Sequence, residues 1–124
     1  MRGLLAIVAG SHGIAHLAGT SDLFARAADG RSAELLGGAW TASDPTLLRA
    51  YGIAWAIVAV AYLAVAYAIW VQARRWPWML AAVTLASLAL VVVALWAAVA
   101  GLVIDAGLLA VAAWLIAKPR SLSR

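Results

Sequence analysis

The sequence contains no cysteine, and only 11% of its 124 residues are charged. Without cysteine there can be no disulfide, no thiolate nucleophile and no thiolate metal site. With few charges and 67% hydrophobic residues, the composition lies far outside that of soluble domains. The sequence therefore predicts an integral membrane protein, with no segment that would form a separate soluble domain.

The few charges are mostly basic, nine Lys and Arg against five Asp and Glu, which gives a formal net charge of +4. They lie at the ends of apolar segments, where they set the topology of a membrane protein and contact anionic lipid. We therefore expect the lipid bilayer, and no nucleic acid, as the partner of these charges.

Apolar segments of membrane-spanning length make up most of the chain. The apolar run from Trp78 to Ala117 is about twice the length of one span, so the chain must turn within it, and Gly101 is the predicted turn. The fold class is all-α: a four-helix bundle forming a single transmembrane domain over residues 1–124. The predicted spans are 3–19, 51–71, 78–99 and 102–117.

The long polar segment, residues 20–50, joins the first two spans. It contains two short amphipathic pieces, "SDLFARAA" and "SAELLGG", which we expect to form short helices in the membrane interface. Near its end, Asp44 and Pro45 have the residue types preferred at the cap and first turn of a helix. The second helix is therefore predicted to begin outside the membrane.

The first span has an alternative interpretation as a secretory signal, with Arg2 before the apolar run and "ARA" at 25–27 as a cleavage site. Two histidines interrupt that run, which favours a retained helix.

The basic residues are distributed unequally between the two sides of a four-span topology. Because the more basic side of a membrane protein faces the cytoplasm, both termini are predicted to be cytoplasmic, in a multi-pass protein of the cell membrane. Residues 20–50 would then lie outside. The inner set is Arg2, Arg74, Arg75, Lys118, Arg120 and Arg124, and the outer set is Arg26, Arg31 and Arg49.

Three ionisable side chains fall within the predicted spans: His12, His16 and Asp105. Such residues are costly in the bilayer and normally face the bundle interior, where they find partners. The histidines are four residues apart and share one helix face. Asp105 is predicted at the depth of His16, with His12 one turn deeper. Small residues on the first and fourth helices predict direct contact between them.

Aromatic side chains form a stripe on the second helix, at Tyr51, Trp55 and Tyr62. We predict a ligand pocket in the outer half of the bundle, although packing alone would also explain such a stripe. Thr84 and Ser87, three residues apart on the third helix, add hydroxyls to this pocket, although hydroxyls in membrane spans usually bond back to their own helix. The candidate ligand-binding residues are His12, His16, Trp55, Tyr62 and Asp105.

The two histidines and Asp105 admit several interpretations. They could clamp helices together, handle a proton or a ligand, or bind a divalent metal with water in the fourth position. A haem is disfavoured, because two histidines one turn apart on one helix cannot take opposite faces of one macrocycle. Bis-histidine ligation would need a second chain.

The leading function hypothesis is binding of a hydrophobic small molecule of lipid or quinone type, or a role as an accessory subunit. The alternative is a membrane-embedded metal- or acid/base-dependent enzyme, in which a histidine is the base and Asp105 orients it. A second alternative is a proton-coupled transporter working as a dimer. Accordingly, a homo-oligomer or a larger membrane complex is among the expected assemblies.

Three stretches carry a family resemblance: "HGIAHLAG" in the first helix, "AYGIAW" opening the second, and "LWAAVAGLVIDAGLL" across the third and fourth. In layout the chain resembles small four-helix bacterial membrane proteins and, more loosely, the DoxX-like group. That resemblance implies a quinone-linked or redox-partner role. The second helix lacks the acidic residue that DoxX-like proteins often carry there.

Overall fold

The structure is a computed structural model, and it describes residues 2–94 and 99–118. Its architecture is four long helices with one small antiparallel hairpin between the first two. The helices are α1 (Arg2–Asp29), α2 (Pro45–Trp70), α3 (Trp76–Val93) and α4 (Val99–Ala117), and the strands are β1 (Ala33–Leu35) and β2 (Trp40–Ala42). Each of these helices is long and apolar enough to cross a membrane, so the predicted all-α class and number of spans are confirmed.

Helix α1 continues ten residues beyond the predicted end of the first span at 19. No proline interrupts it, and the hydroxyls of Thr20 and Ser21 bond back to carbonyls one turn earlier. An Asp22–Arg26 pair at 2.7 Å supports the following turn. The helix stops at Gly30, whose positive φ of 66° suits a helix C-terminus.

The prediction of interfacial helices within residues 20–50 is therefore wrong. The piece "SDLFARAA" is the last part of α1, and "SAELLGG" forms β1 and a 3-10 turn. The hairpin pairs Ala33 with Ala42 and Leu35 with Trp40. Burial alternates along β1, so Ala33 and Leu35 pack over the bundle end beside Leu23.

The predicted turn at Gly101 is also wrong, because α4 already begins at Val99 and α3 ends at Val93. Gly101 lies inside α4, where a Cβ would be 3.6 Å from Val91 Cγ2 and 3.9 Å from His12 Cε1. This glycine therefore lies at a helix-packing position. Residues 95–98, and Arg120 and Arg124 of the predicted inner set, lie outside the described residues.

Helix α1 packs mainly on α2, while α3 packs mainly on α4. A Cβ at Gly13 would lie 2.7 Å from Tyr62 Cβ, and one at Gly19 would lie 2.6 Å from the Trp55 ring. These glycines therefore allow α1 and α2 to approach closely, as small residues do between membrane helices. The predicted close contact of α1 with α4 is limited to a few positions, because the small residues of α1 are used on α2.

The bundle exposes large apolar side chains on its outside and encloses a small polar set within its apolar core. Large apolar side chains such as Ile7, Ile57 and Val103 are each more than 60% exposed, and buried polar side chains lie at the centre. In water this pattern would be unfavourable, whereas in lipid it exposes apolar atoms to acyl chains and gives polar groups internal partners. The buried polar set is His12, His16, Thr84, Ser87 and Asp105.

Candidate functional site

Asp105 is completely buried and joins all four helices. Its Oδ1 accepts hydrogen bonds from His12 Nε2 at 2.8 Å and from the Tyr62 hydroxyl at 2.6 Å. Its Oδ2 accepts from the Ser87 hydroxyl at 2.6 Å. Because α1, α2 and α3 each supply one donor to this residue of α4, one carboxylate connects the whole bundle. Hydrogen bonds to an ionised acceptor are among the stronger ones in proteins.

His16 joins the same network through Ser87. The Ser87 Oγ lies 2.9 Å from His16 Nε2, and neither side chain is more than 2% exposed. The hydroxyl of Thr84, one turn before Ser87 on α3, lies 3.2 Å from the Tyr62 hydroxyl and donates to its oxygen, because the single proton of Tyr62 goes to Asp105. The resulting polar cluster consists of His12, His16, Tyr62, Thr84, Ser87 and Asp105.

Aromatic rings pack around the two imidazoles. The His12 and His16 rings are 4.9 Å apart, edge to face, and Tyr62 lies edge to face with His12 at the same distance. Trp55 is tilted against His16 with ring centroids 4.8 Å apart. These contacts hold both imidazoles on the α2 side of the bundle axis.

Two buried nitrogens, one in His16 and one in the neighbouring Trp55, have no hydrogen-bond partner among the described residues. Neither His16 Nδ1 nor Trp55 Nε1 has a hydrogen-bond partner within the described part of the chain. His16 is 2% exposed and Trp55 is 8% exposed, so ordinary solvent does not solvate them. Unsatisfied polar atoms at such burial are uncommon in proteins and call for an explanation.

The two residues that carry these nitrogens line a cavity of about 320 Å³. Residues of all four helices line it, and most of its lining is apolar. His16, Trp55 and Tyr51 form its aromatic wall, and Gly19 of α1 and Gly101 of α4 also line it.

A three-ligand metal centre is not what the geometry forms. Among the described residues, no group of three or more His, Cys, Asp or Glu side chains is arranged to hold a metal ion. The Nε2 atoms of His12 and His16 are both hydrogen-bonded, to Asp105 and to Ser87. The Nε2 atoms of both histidines and the carboxylate oxygens of Asp105 are therefore hydrogen-bonded to one another, to Tyr62 or to Ser87.

The structure brings together the residues that the sequence proposed for a pocket. His12, His16, Tyr62 and Asp105 are members of the polar cluster, and Trp55 contacts His16 at the cavity. Asp105 bonds directly to His12 and reaches His16 only through Ser87.

Ser87 and Thr84 are the members for which the sequence gives the weakest indication, since hydroxyls in membrane spans usually bond to their own helix. Both are 0% exposed and bond to other helices instead. Their three-residue spacing on one face of α3 was the available indication. A buried carboxylate and phenol on the facing helices decide the outcome, because those groups lack other partners.

No family model matches the sequence, and searches of curated proteins and of solved structures also gave no match. The resemblance to DoxX-like proteins therefore stays a prediction.

Proposed function

We propose that this protein binds a hydrophobic small molecule of lipid or quinone type in the cavity beside His16. One observation carries the proposal: a mostly apolar cavity of about 320 Å³ is lined by His16 and Trp55, each of which carries a buried nitrogen with no partner among the described residues. A ligand that fills the cavity would bury its apolar lining and give those nitrogens a hydrogen-bond partner.

The size of the cavity suits a head group rather than a whole lipid. Its volume lies near the lower end of small-molecule pockets, which span roughly 300–1,000 Å³. Exposed small residues, Ala15, Ala18 and Ala100, lie at its edge between α1 and α4. A hydrocarbon tail could leave along these residues and continue in the surrounding acyl chains.

The experiment is a titration of the full chain in lipid nanodiscs with decylbenzoquinone, in which binding is measured by isothermal titration calorimetry. We expect saturable binding to the wild-type protein and at least about tenfold weaker binding after Ala18→Trp, because an indole at the cavity edge would occupy the space of the ligand. Ala110→Trp, an exposed position on α4 that does not line the cavity, is the matched control. Absence of binding by both this quinone and its reduced form, or binding equally strong in all three proteins, would refute the proposal.

A membrane enzyme is the second candidate, and one observation favours it: His16 Nδ1 borders the cavity and could act as a base. The arrangement differs from a nucleophilic triad, in which the imidazole lies between the hydroxyl and the carboxylate. Here Ser87 lies between His16 and Asp105 and is 0% exposed, so no substrate can reach its Oγ. A binding role accounts for more of the observed contacts than does acid/base or nucleophilic chemistry at His16 and Ser87, or a dimeric proton-coupled transporter.

We further propose that the protein lies in the cell membrane with both termini in the cytoplasm, which places the cavity in the outer half of the bundle. The support is the charge distribution, with Arg74 and Arg75 in the turn between α2 and α3 and the acidic residues mostly on the hairpin side. The absence of native cysteine allows a direct test. A cysteine at Ser32 should react with a membrane-impermeant maleimide in intact cells and one at Gln72 should not; the reverse pattern would invert the topology.

A further inference from the structure

We propose that the cavity holds its ligand by a hydroxyl group, which donates to His16 Nδ1 and accepts from Trp55 Nε1. The preferred ligand is then a lipid-soluble alcohol, phenol or quinol rather than the corresponding quinone or ether. The inference rests on the proposed function, because it names the chemical class that the same cavity takes.

The argument begins at the buried carboxylate. An ionised carboxylate only accepts hydrogen bonds, and three donors converge on Asp105. The single proton of the Ser87 hydroxyl points to Asp105 Oδ2 at 2.6 Å, so Ser87 can only accept from His16 Nε2 at 2.9 Å. His16 must therefore carry its proton on Nε2, and in the neutral imidazole this leaves Nδ1 as an acceptor.

The second unpartnered atom has the opposite character. The indole Nε1–H of Trp55 is a donor and cannot accept. Since the centroids of the His16 and Trp55 rings are only 4.8 Å apart and both residues line the cavity, these neighbouring residues offer a ligand one acceptor and one donor. A hydroxyl complements both at once, whereas a carbonyl or ether oxygen complements only Trp55 and leaves His16 Nδ1 unpaired.

The wall also favours a ring on the ligand. Trp55 and Tyr51 lie edge to face at 6.2 Å, and with the His16 imidazole they surround the position where the hydroxyl would lie. Aromatic groups pack well against such edges and faces. A phenol or quinol is therefore favoured over an aliphatic alcohol such as a diacylglycerol.

The decisive experiment compares matched probes on the full chain in nanodiscs: decylhydroquinone kept reduced, its dimethyl ether, decylbenzoquinone and dioctanoylglycerol. We expect decylhydroquinone to bind about tenfold or more tighter than the ether and the quinone, the effect of one satisfied buried acceptor. Dioctanoylglycerol should bind more weakly than decylhydroquinone. If it bound more tightly, the ligand class would be a lipid alcohol and not a phenol or quinol. Equal binding of hydroquinone, ether and quinone would overturn the hydroxyl preference and leave the proposed function standing, whereas no binding by any probe would end both.

The tautomer has a readout independent of ligand affinity. The chain contains two histidines, so ¹⁵N NMR of histidine-labelled protein gives few signals, which His16→Gln assigns. We expect His16 to show a protonated Nε2 and an unprotonated Nδ1. A proton on Nδ1 in the unliganded protein would overturn the inference even if the variants below fail to fold.

Ser87→Ala tests the hydrogen-bond chain from Asp105 through Ser87 to His16. The substitution removes the acceptor that fixes the His16 proton on Nε2. We expect the preference of the cavity for decylhydroquinone over its dimethyl ether to fall severalfold. Ser21→Ala is the matched control, because Ser21 is exposed and bonds only to Leu17 O of its own helix. If the folded Ser87→Ala variant kept the same preference for decylhydroquinone over its dimethyl ether, this hydrogen-bond chain would not fix the His16 proton.

Discussion

The surroundings of Asp105 and those of His16 differ in how completely their polar atoms are paired. Both oxygens of Asp105 accept hydrogen bonds, and the hydroxyls of Tyr62 and Ser87 that reach it are thereby satisfied. About one helical turn further along α1, His16 Nδ1 and the neighbouring Trp55 Nε1 have no partner in the described part of the chain. The fully paired region serves to hold helices together, and the incompletely paired one is equipped to bind.

The packing of α1 shows the same difference. At Gly13 an added Cβ would meet Tyr62 Cβ at 2.7 Å and the Ala59 carbonyl oxygen at 3.0 Å, so α1 lies against backbone that cannot move aside. At Gly19 it would meet the ring of Trp55, a side chain that lines the cavity. Beside Tyr62, α1 thus packs against backbone, whereas beside Trp55 it packs against a side chain.

Removal of the carboxylate should have the largest effect on stability. Asp105→Ala leaves three buried donors without an acceptor, which at about 1 kcal/mol each lowers the free energy of unfolding by about 3 kcal/mol. The measurement is an SDS unfolding titration in mixed micelles.

The control for Asp105→Ala is Asp22→Ala, which breaks an exposed pair with Arg26 and should cost less than about 0.5 kcal/mol. If Asp105→Ala were as stable as Asp22→Ala, the carboxylate would not be the centre that holds the four helices.

A smaller effect should distinguish two aromatic residues on α2. Tyr62→Phe removes a hydroxyl that donates to Asp105, so we expect a loss of about 1–2 kcal/mol in the same titration. Trp55→Phe removes an N–H without a partner among the described residues, so its stability should change by less than about 1 kcal/mol.

Ligand binding should reverse the order of these two variants. Trp55→Phe should weaken binding of decylhydroquinone severalfold, because the donor to its hydroxyl is lost, and Tyr62→Phe should leave that binding near the wild-type value. If the two variants changed stability and binding in the same proportion, the distinction between a structural and a binding region would be lost.

Several features could be predicted from the sequence because they depend on local composition. The apolar segments predicted the number of spans, and Asp44 and Pro45 predicted the start of α2, where Asp44 accepts from Thr46 N at 2.7 Å. The rarity of ionisable residues in those segments indicated that His12, His16 and Asp105 would be buried together, since lipid offers them no partner.

Other features depended on contacts between distant residues. The hairpin after α1 depends on packing of Leu23, Ala33 and Leu35 at the bundle end, which no local pattern encodes. The start of α4 at Val99 fits Gly101 against Val91 and His12, whereas the sequence suggested a turn at that glycine.

By itself, the sequence determined the class of the protein and the residues that must be polar inside it, because hydrophobic length and the cost of charge in lipid act on each segment separately. The tertiary structure decided which of those residues are partners. Only the assembled bundle places Ser87 between His16 and Asp105 and leaves a cavity lined by His16 and Trp55, whose Nδ1 and Nε1 atoms have no partner among the described residues. Hydrogen bonds between helices depend on the rotation and axial register of each helix, which are set by packing against its neighbours.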